Sequence, residues 1–130
     1  MAVNPDFAGS PAAGWVLREA LGQGYSAVGA LTGQGTFRAR TLEGAGRPVT
    51  ALSLGRPQPY QTDTLFLGQS AGLFHTQDHP HPGPRRFLGG FYGTQRAAAQ
   101  PELFEMNRPL SDFDQMRWFP QTTAARGLPE

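Results

Sequence analysis

The sequence predicts an α/β fold, a partial sheet carrying a β-hairpin and two or three helices, and three observations predict it. Leucines 17 and 21 fall four apart in SPAAGWVLREALGQG, one face of a helix. Short apolar or alternating runs at residues 25–31, 37–40, 49–54 and 115–119 have the length and period of strands. Helix, hairpin, helix and strands in that order suggest an α/β or α+β layer. At 130 residues the chain is one domain or part of one.

In the first helix Ser10 is placed to accept from the free amides of the opening turn. Pro11 has no amide proton to leave unpaired, and Gly22 or Gly24 ends the helix. Residues 25–31 form a short apolar run suited to a buried strand. Gly33-Gln-Gly35 supplies a turn, and Phe37 and Ala39 alternate with Arg38 and Arg40, so a β-hairpin is expected here. Residues 43–48 are a loop and residues 49–54 another strand. After Pro57 and Pro59, Asp63 can cap a short helix, TLFLGQSAG, with Leu65 and Phe66 as its apolar face and Gly72 at its end. Leu73-Phe74-His75 is expected as a buried strand whose last residue reaches the sheet rim. Residues 87–92 start a strand and turn. Residues 95–112 form a long connection that carries Leu103 and Phe104 into the core, and residues 115–119 make a last strand stopped by Pro120.

Composition removes several functional classes. Eleven basic residues, all arginine, face ten acidic ones, a balance that offers no field for a polyanion or an acidic bilayer. No nucleic-acid and no membrane partner is expected. The chain contains no cysteine, so it has no disulfide framework, no thiolate nucleophile and no cysteine-held metal. MAVNPDFAGSPAAGW lacks a basic leader region followed by a continuous apolar stretch, and no window approaches the roughly 20 apolar residues of a membrane span. A soluble, cytoplasmic protein is expected.

The segment HTQDHPHPGPRR holds every histidine of the chain, His75, His79 and His81, together with Asp78. Imidazoles ligate zinc, nickel or copper, and a His-x-His pair on a strand points one way. Here Pro80 and Pro82 impose a polyproline-like path that splays His79 from His81, so a metal would need His75 or Asp78 to fold back as third ligand. A proline-stiffened polar loop is the preferred reading, and no metal or cofactor is assigned. Arg85-Arg86 could hold an anion, although a solvated loop is preferred. Ser10, Ser26, Ser53, Ser70 and Ser111 all lack the Gly-x-Ser-x-Gly elbow of a hydrolase nucleophile. Asp112 and Asp114 flank Phe113 as caps or rim groups rather than as an acid/base pair. The Gly33-x-Gly35 pattern lacks the third glycine and the following helix of a phosphate loop.

The order of these parts resembles the erythromycin esterase-like hydrolase family. Gly14-Trp-x-Leu-Arg-x-Ala-Leu21, then Gly24-Tyr-x-x-Val-Gly29 and Gly-x-Gly-x-Phe at 33–37, resemble the family's helix, strand and hairpin. Phe87-Leu-Gly-Gly-Phe-Tyr92 is similar to a Gly-and-Tyr segment that follows a strand usually ending Leu-Asp-Leu-Arg, where this chain has His75-Thr-Gln. The stretch from Leu110 to Arg126 resembles the closing pattern, in which Phe-Asp introduces the final strand and Thr-Thr-x-Ala-Arg follows. The resemblance implies that residues 1–130 are a single incomplete domain, the C-terminal portion of a larger α/β hydrolase-type domain.

It also implies that the water-activating histidine and its acidic and arginine partners belong to an earlier part of the family's sequence. No catalytic, cofactor-binding or metal residue is therefore assigned to this chain. The implied activity is hydrolysis of an ester, a macrolide lactone in the best known members, with a small-molecule ester as substrate of the complete enzyme and a role in antibiotic resistance. The 130 residues alone are expected to be inactive, to dissolve poorly, and to pair with a separately encoded N-terminal half or with themselves. The competing readings are a non-catalytic binding or interaction module and a small histidine-loop metal binder.

Overall fold

One long strand, β1 (Val28–Thr41), organises the chain. Its side chains alternate strictly: Gly29, Leu31, Gly33, Ala39 and Thr41 are buried, while Val28, Ala30, Arg38 and Arg40 are exposed. Period two over fourteen residues means that one sheet face is covered and the other open. The computed structural model describes residues 13–79, 83–106 and 112–127. They form a mixed α/β arrangement of one five-stranded sheet, a two-stranded ribbon and two short helices, α1 (Ala13–Leu21) and α2 (Thr94–Ala99).

The sheet order is β2 (Val49–Leu54), β1, β7 (Gln115–Thr122), β3 (Gly72–His75), with β5 (Phe91–Tyr92) beside the far end of β1. β7 runs parallel to β1 from Val28↔Gln115 to Gly35↔Thr122, and β5 is parallel to it at Arg40 and Thr41. β2 is antiparallel to β1 from Gly35↔Leu54 to Arg40↔Val49, and β3 is antiparallel to β7. The ribbon joins β4 (Arg85–Arg86) to β6 (Glu105–Met106).

Two apolar groups cover the inner face. Leu31, Phe66, Phe113, Met116 and Trp118 form the main cluster with Ala27, and Tyr25 and Phe74 pack on its margin. Burial of each large side chain here contributes about 1.5–3 kcal/mol, and the Trp118 indole N–H donates to Gln69 O at 3.1 Å, so its burial leaves no polar atom stranded. Further along β1, Tyr92 meets Phe37 edge-on at 4.9 Å and Phe104 at 4.7 Å. α2 lies beside this second group, and its first free amides are met by Glu43, which accepts from Gln95 N at 2.5 Å.

Several expectations change. The hairpin lies one element later: β1 runs through Gly33 and Gly35 without turning, and the antiparallel partner is β2, joined through residues 42–48. The glycines serve close approach, because a Cβ on Gly33 would strike the Pro120 carbonyl and one on Gly35, whose φ is 137°, would strike that of Thr122. The helix expected after Asp63 is a single 3-10 turn, Thr62–Phe66, stopped before Gly68 at φ 84°, and Gly72 opens β3 instead of closing a helix. β3 is an edge strand and Leu73 is exposed, not buried. Residues 95–112 open within α2, which starts at Thr94, and Leu103 stays exposed while Phe104 does reach Tyr92. β7 continues through Pro120, whose missing N–H falls opposite Gly33, where the ladder skips a pair. Leu17 and Leu21 of α1 are exposed; Ser10 and Pro11 lie outside the described residues.

Candidate functional site

β2 begins pairing only at Gly35, so among the described residues no strand meets that edge of β1 over residues 28–34. The amide and carbonyl of Thr32 point there, away from β7. Two side chains take the place of a neighbouring strand. Asp63 Oδ1 accepts from Thr32 N at 2.9 Å, and its Oδ2 accepts from Arg86 N at 3.0 Å. The Arg86 guanidinium donates to the carbonyls of Thr32 and Gly33 and, at 2.5 Å, to Gly55 O. Backbone groups that would otherwise be buried without partners are thereby satisfied.

Asp63 has no exposed surface and Arg86 only 9%. Arg86 Nε stands 3.9 Å from Asp63 Oδ1, too far for a hydrogen bond, and is a buried nitrogen without an acceptor. Burial pushes the Asp63 carboxyl above its usual range, against the pull of the Thr32 and Arg86 amides and the Arg86 charge. Burial likewise lowers Arg86, with Asp63 opposing.

The residues before Asp63 extend this polar seam. Buried Gln61 accepts from Gln58 N at 2.8 Å and donates to Glu105 at 2.8 Å. Buried Thr62 donates its hydroxyl to Gly83 O at 2.8 Å. The Tyr60 hydroxyl also donates to Glu105, and desolvation followed by that carboxylate pushes its pKa up to about 12. Three consecutive polar residues, 61–63, thus fasten the turn after Pro59 to β1, to the ribbon and to the loop before β4.

Beside this seam lies a cleft of about 180 Å³. Gln61 and Arg86 line one part of it, while Leu88, Tyr92, Ala97, Pro101 and Phe104 supply a more apolar part. Ser53, Arg56, Gln58 and Thr94 are exposed among its lining residues. Gln61 and the Nη groups of Arg86 are committed to protein partners, so a ligand's oxygen atoms would meet those four residues and the buried Tyr92. Burial raises the Tyr92 pKa, opposed by the Arg86 charge, so its hydroxyl stays protonated and can donate. No carboxylate or imidazole is among the described lining residues. The cleft can orient and polarise a bound oxygen, and its described lining includes no carboxylate or imidazole to take a proton from water.

The sequence candidates are dispersed. His75 is exposed on the edge strand, whereas the His79 ring packs at a tilt 5.1 Å from Phe66 and edge-on 5.5 Å from Phe74, covering the main cluster. Pro80, His81 and Pro82 lie outside the described residues. Among the described residues no three His, Asp or Glu groups gather as a metal cage. Asp112 is buried and Asp114 half-exposed; the latter accepts from Ala27 N at 2.7 Å and from Arg18, a tie between β7, α1 and the start of β1. Arg85-Arg86 is not a solvated loop: Arg86 is buried in the clamp and Arg85 lies over the Phe113 ring at 5.0 Å. Ser53 reaches the cleft, Ser26 and Ser70 are exposed, and Ser10 and Ser111 lie outside the described residues. Sequence reasoning misses the Gln61-Thr62-Asp63 seam; the signal available is a polar triplet embedded between a proline break and the apolar Leu65-Phe66.

No helix among the described residues is long and apolar enough to cross a membrane. No curated protein and no solved structure matches the chain. One family model does, that described as Erythromycin esterase, over residues 3–122. This span takes in both apolar groups, the Asp63–Arg86 clamp and the whole cleft, and the chain belongs to the erythromycin esterase family.

Proposed function

We propose that the chain forms the C-terminal wall of an erythromycin esterase-type hydrolase, an incomplete domain that grips part of an oxygen-rich ester or macrolide lactone while another segment supplies the proton-handling groups. The composition of the cleft carries this reading. Ester hydrolysis needs a base to deprotonate water and donors to hold the developing oxyanion, and the described lining residues offer donors without a base. Size argues the same way. A cleft of about 180 Å³ falls short of the roughly 300–1,000 Å³ that encloses a drug-sized ligand, so it suits one edge of a macrolide rather than the whole. Such an enzyme would inactivate a macrolide antibiotic by opening its ring.

The test is hydrolysis of erythromycin followed by mass spectrometry. Purified chain should give no product above the buffer rate. Addition of a separately produced N-terminal portion of a family member should yield ring-opened product, and Arg56→Ala should weaken substrate binding in that mixture. Turnover by the purified chain unaided would overturn the reading.

A further inference from the structure

The outer face of the sheet is lined by arginine and exposed apolar side chains. Its rows follow from the strand register. Val49, Arg40 and Phe91 lie side by side across β2, β1 and β5. Ala30, Arg117 and Leu73 do the same across β1, β7 and β3. Phe119 sits beside Thr32, with the Arg117 guanidinium 5.8 Å from its ring centroid. Phe91 is 58% exposed, Leu73 52% and Phe119 41%, and Arg38 extends the same face on β1. None of the five strands places an acidic residue there.

Two physical arguments bear on what covers this face. Sheets built wholly of parallel strands have both faces covered; this one is mixed, with β7 and β5 parallel to β1, and its outer face carries exposed or half-buried side chains. Exposed apolar residues stand at both ends of this face, Leu73 and Phe119 beside Arg117 and, eight to ten residues further along β1, Phe91 and Val49 beside Arg40, with Gln34, Thr36 and Gln121 between them; exposed apolar groups rimmed by polar residues mark an interaction surface. A second copy of the chain is a poor cover, because face-to-face contact sets Arg38, Arg40 and Arg117 against their own equivalents with no carboxylate between them, and like charges brought together at an interface are repelled. The complement is a layer with an apolar stripe flanked by carboxylates.

We propose that the outer sheet face is a docking surface for an acidic amphipathic helix, whose apolar residues lie on Leu73, Phe91 and Phe119 and whose carboxylates pair with Arg38, Arg40 and Arg117. The proposal deepens the reading of the chain as one wall of a larger enzyme by naming the chemistry of the layer that meets it. Its test reads peptide binding rather than ester hydrolysis, so either can fail alone.

The probe is a synthetic amphipathic helical peptide of about 24 residues, long enough to reach from Leu73 to Phe91, leucine on one face and glutamate on its flanks, with a twin carrying lysine in place of glutamate. Binding to the full chain is measured by fluorescence anisotropy, with a single-stranded oligonucleotide as a plain polyanion. The glutamate peptide should bind about tenfold or more tightly than its lysine twin and than the oligonucleotide, and should weaken as salt is raised. The exposed double variant Arg38→Glu/Arg117→Glu should invert the peptide preference while keeping the parent's circular dichroism and melting temperature. Equal binding of the two peptides, no binding of either, tighter capture of the oligonucleotide, or a dimer in sedimentation that shields Phe119 from solvent would each overturn the proposal.

Discussion

Asp63 and Asp114 are set up alike, and their carboxyl pKa values move in opposite directions. Each holds a β1-side backbone amide, Thr32 N or Ala27 N, and each is tied to an arginine, Arg86 or Arg18. The Asp63 side chain is wholly buried, whereas that of Asp114 is 41% exposed and that of Arg18 26%. At Asp63 burial dominates and raises the pKa above 3.8. At Asp114 burial works in the same direction, but the Ala27 amide and Arg18 outweigh it and hold the carboxyl below 3.8. The same partner types stabilise the charged form only where water still shares the cost of ionisation.

That contrast can be broken most severely at Arg86. Arg86→Met should cost about 3–5 kcal/mol, because it leaves the Asp63 charge uncompensated and the Thr32, Gly33 and Gly55 carbonyls without their donor. Urea unfolding measures it, and the double variant Asp63→Leu/Arg86→Met should cost less than the sum of the two singles. A loss below about 1 kcal/mol for Arg86→Met would put the pair in the class of exposed ion pairs and erase the distinction.

On the exposed side the effects are smaller. Asp114→Ala should cost about 1–2 kcal/mol, chiefly because it strands the amide of buried Ala27. Arg18→Ala should cost about 0.5 kcal/mol or less, and its effect should fade as salt rises. If Arg18→Ala proved as damaging as Asp114→Ala, the arginine and not the amide would be the principal partner.

The finest discrimination is in the response to pH, where the two carboxyls should pull in opposite senses. Because the folded pKa of Asp63 lies above 3.8, its contribution is full below that value and is lost as pH rises through the folded pKa. Because that of Asp114 lies below 3.8, its contribution is full above that value and is lost as pH falls through the folded pKa. The parent's stability advantage over Asp63→Asn should therefore shrink as pH rises from 3.8, and its advantage over Asp114→Asn should shrink as pH falls from 3.8. Urea midpoints collected over an acid series check both. Slopes of the same sign would show that burial does not separate the two sites.

Legibility in the sequence follows the range of the interactions. β2 and most of β7 can be read because their alternation and their bounding glycine and proline are local. The family is readable from motif order, and the match over residues 3–122 bears it out. Gly33-x-Gly35 reads as a turn because the reason for those glycines, contact with Pro120 and Thr122, lies far along the chain. The clamp is hidden for the same reason. A lone Asp before Thr-Leu-Phe looks like a helix cap, and only the tertiary fold brings an unpaired strand edge and Arg86 to it. The cleft is harder still, since Ser53, Arg56, Tyr92 and Thr94 share no spacing that could announce them.

The two glycines of β1 have a bearing on how the chain finds its alignment. A slide of two residues keeps inward and outward side chains on their proper sides and so passes unnoticed by hydrophobicity. Here Gly33 stands opposite Pro120 and Gly35 opposite Thr122, so a slide one way would drive Leu31 into Pro120, and the other way Phe37 into Thr122. Either error meets a steric stop, and the parallel junction closes in a single phase.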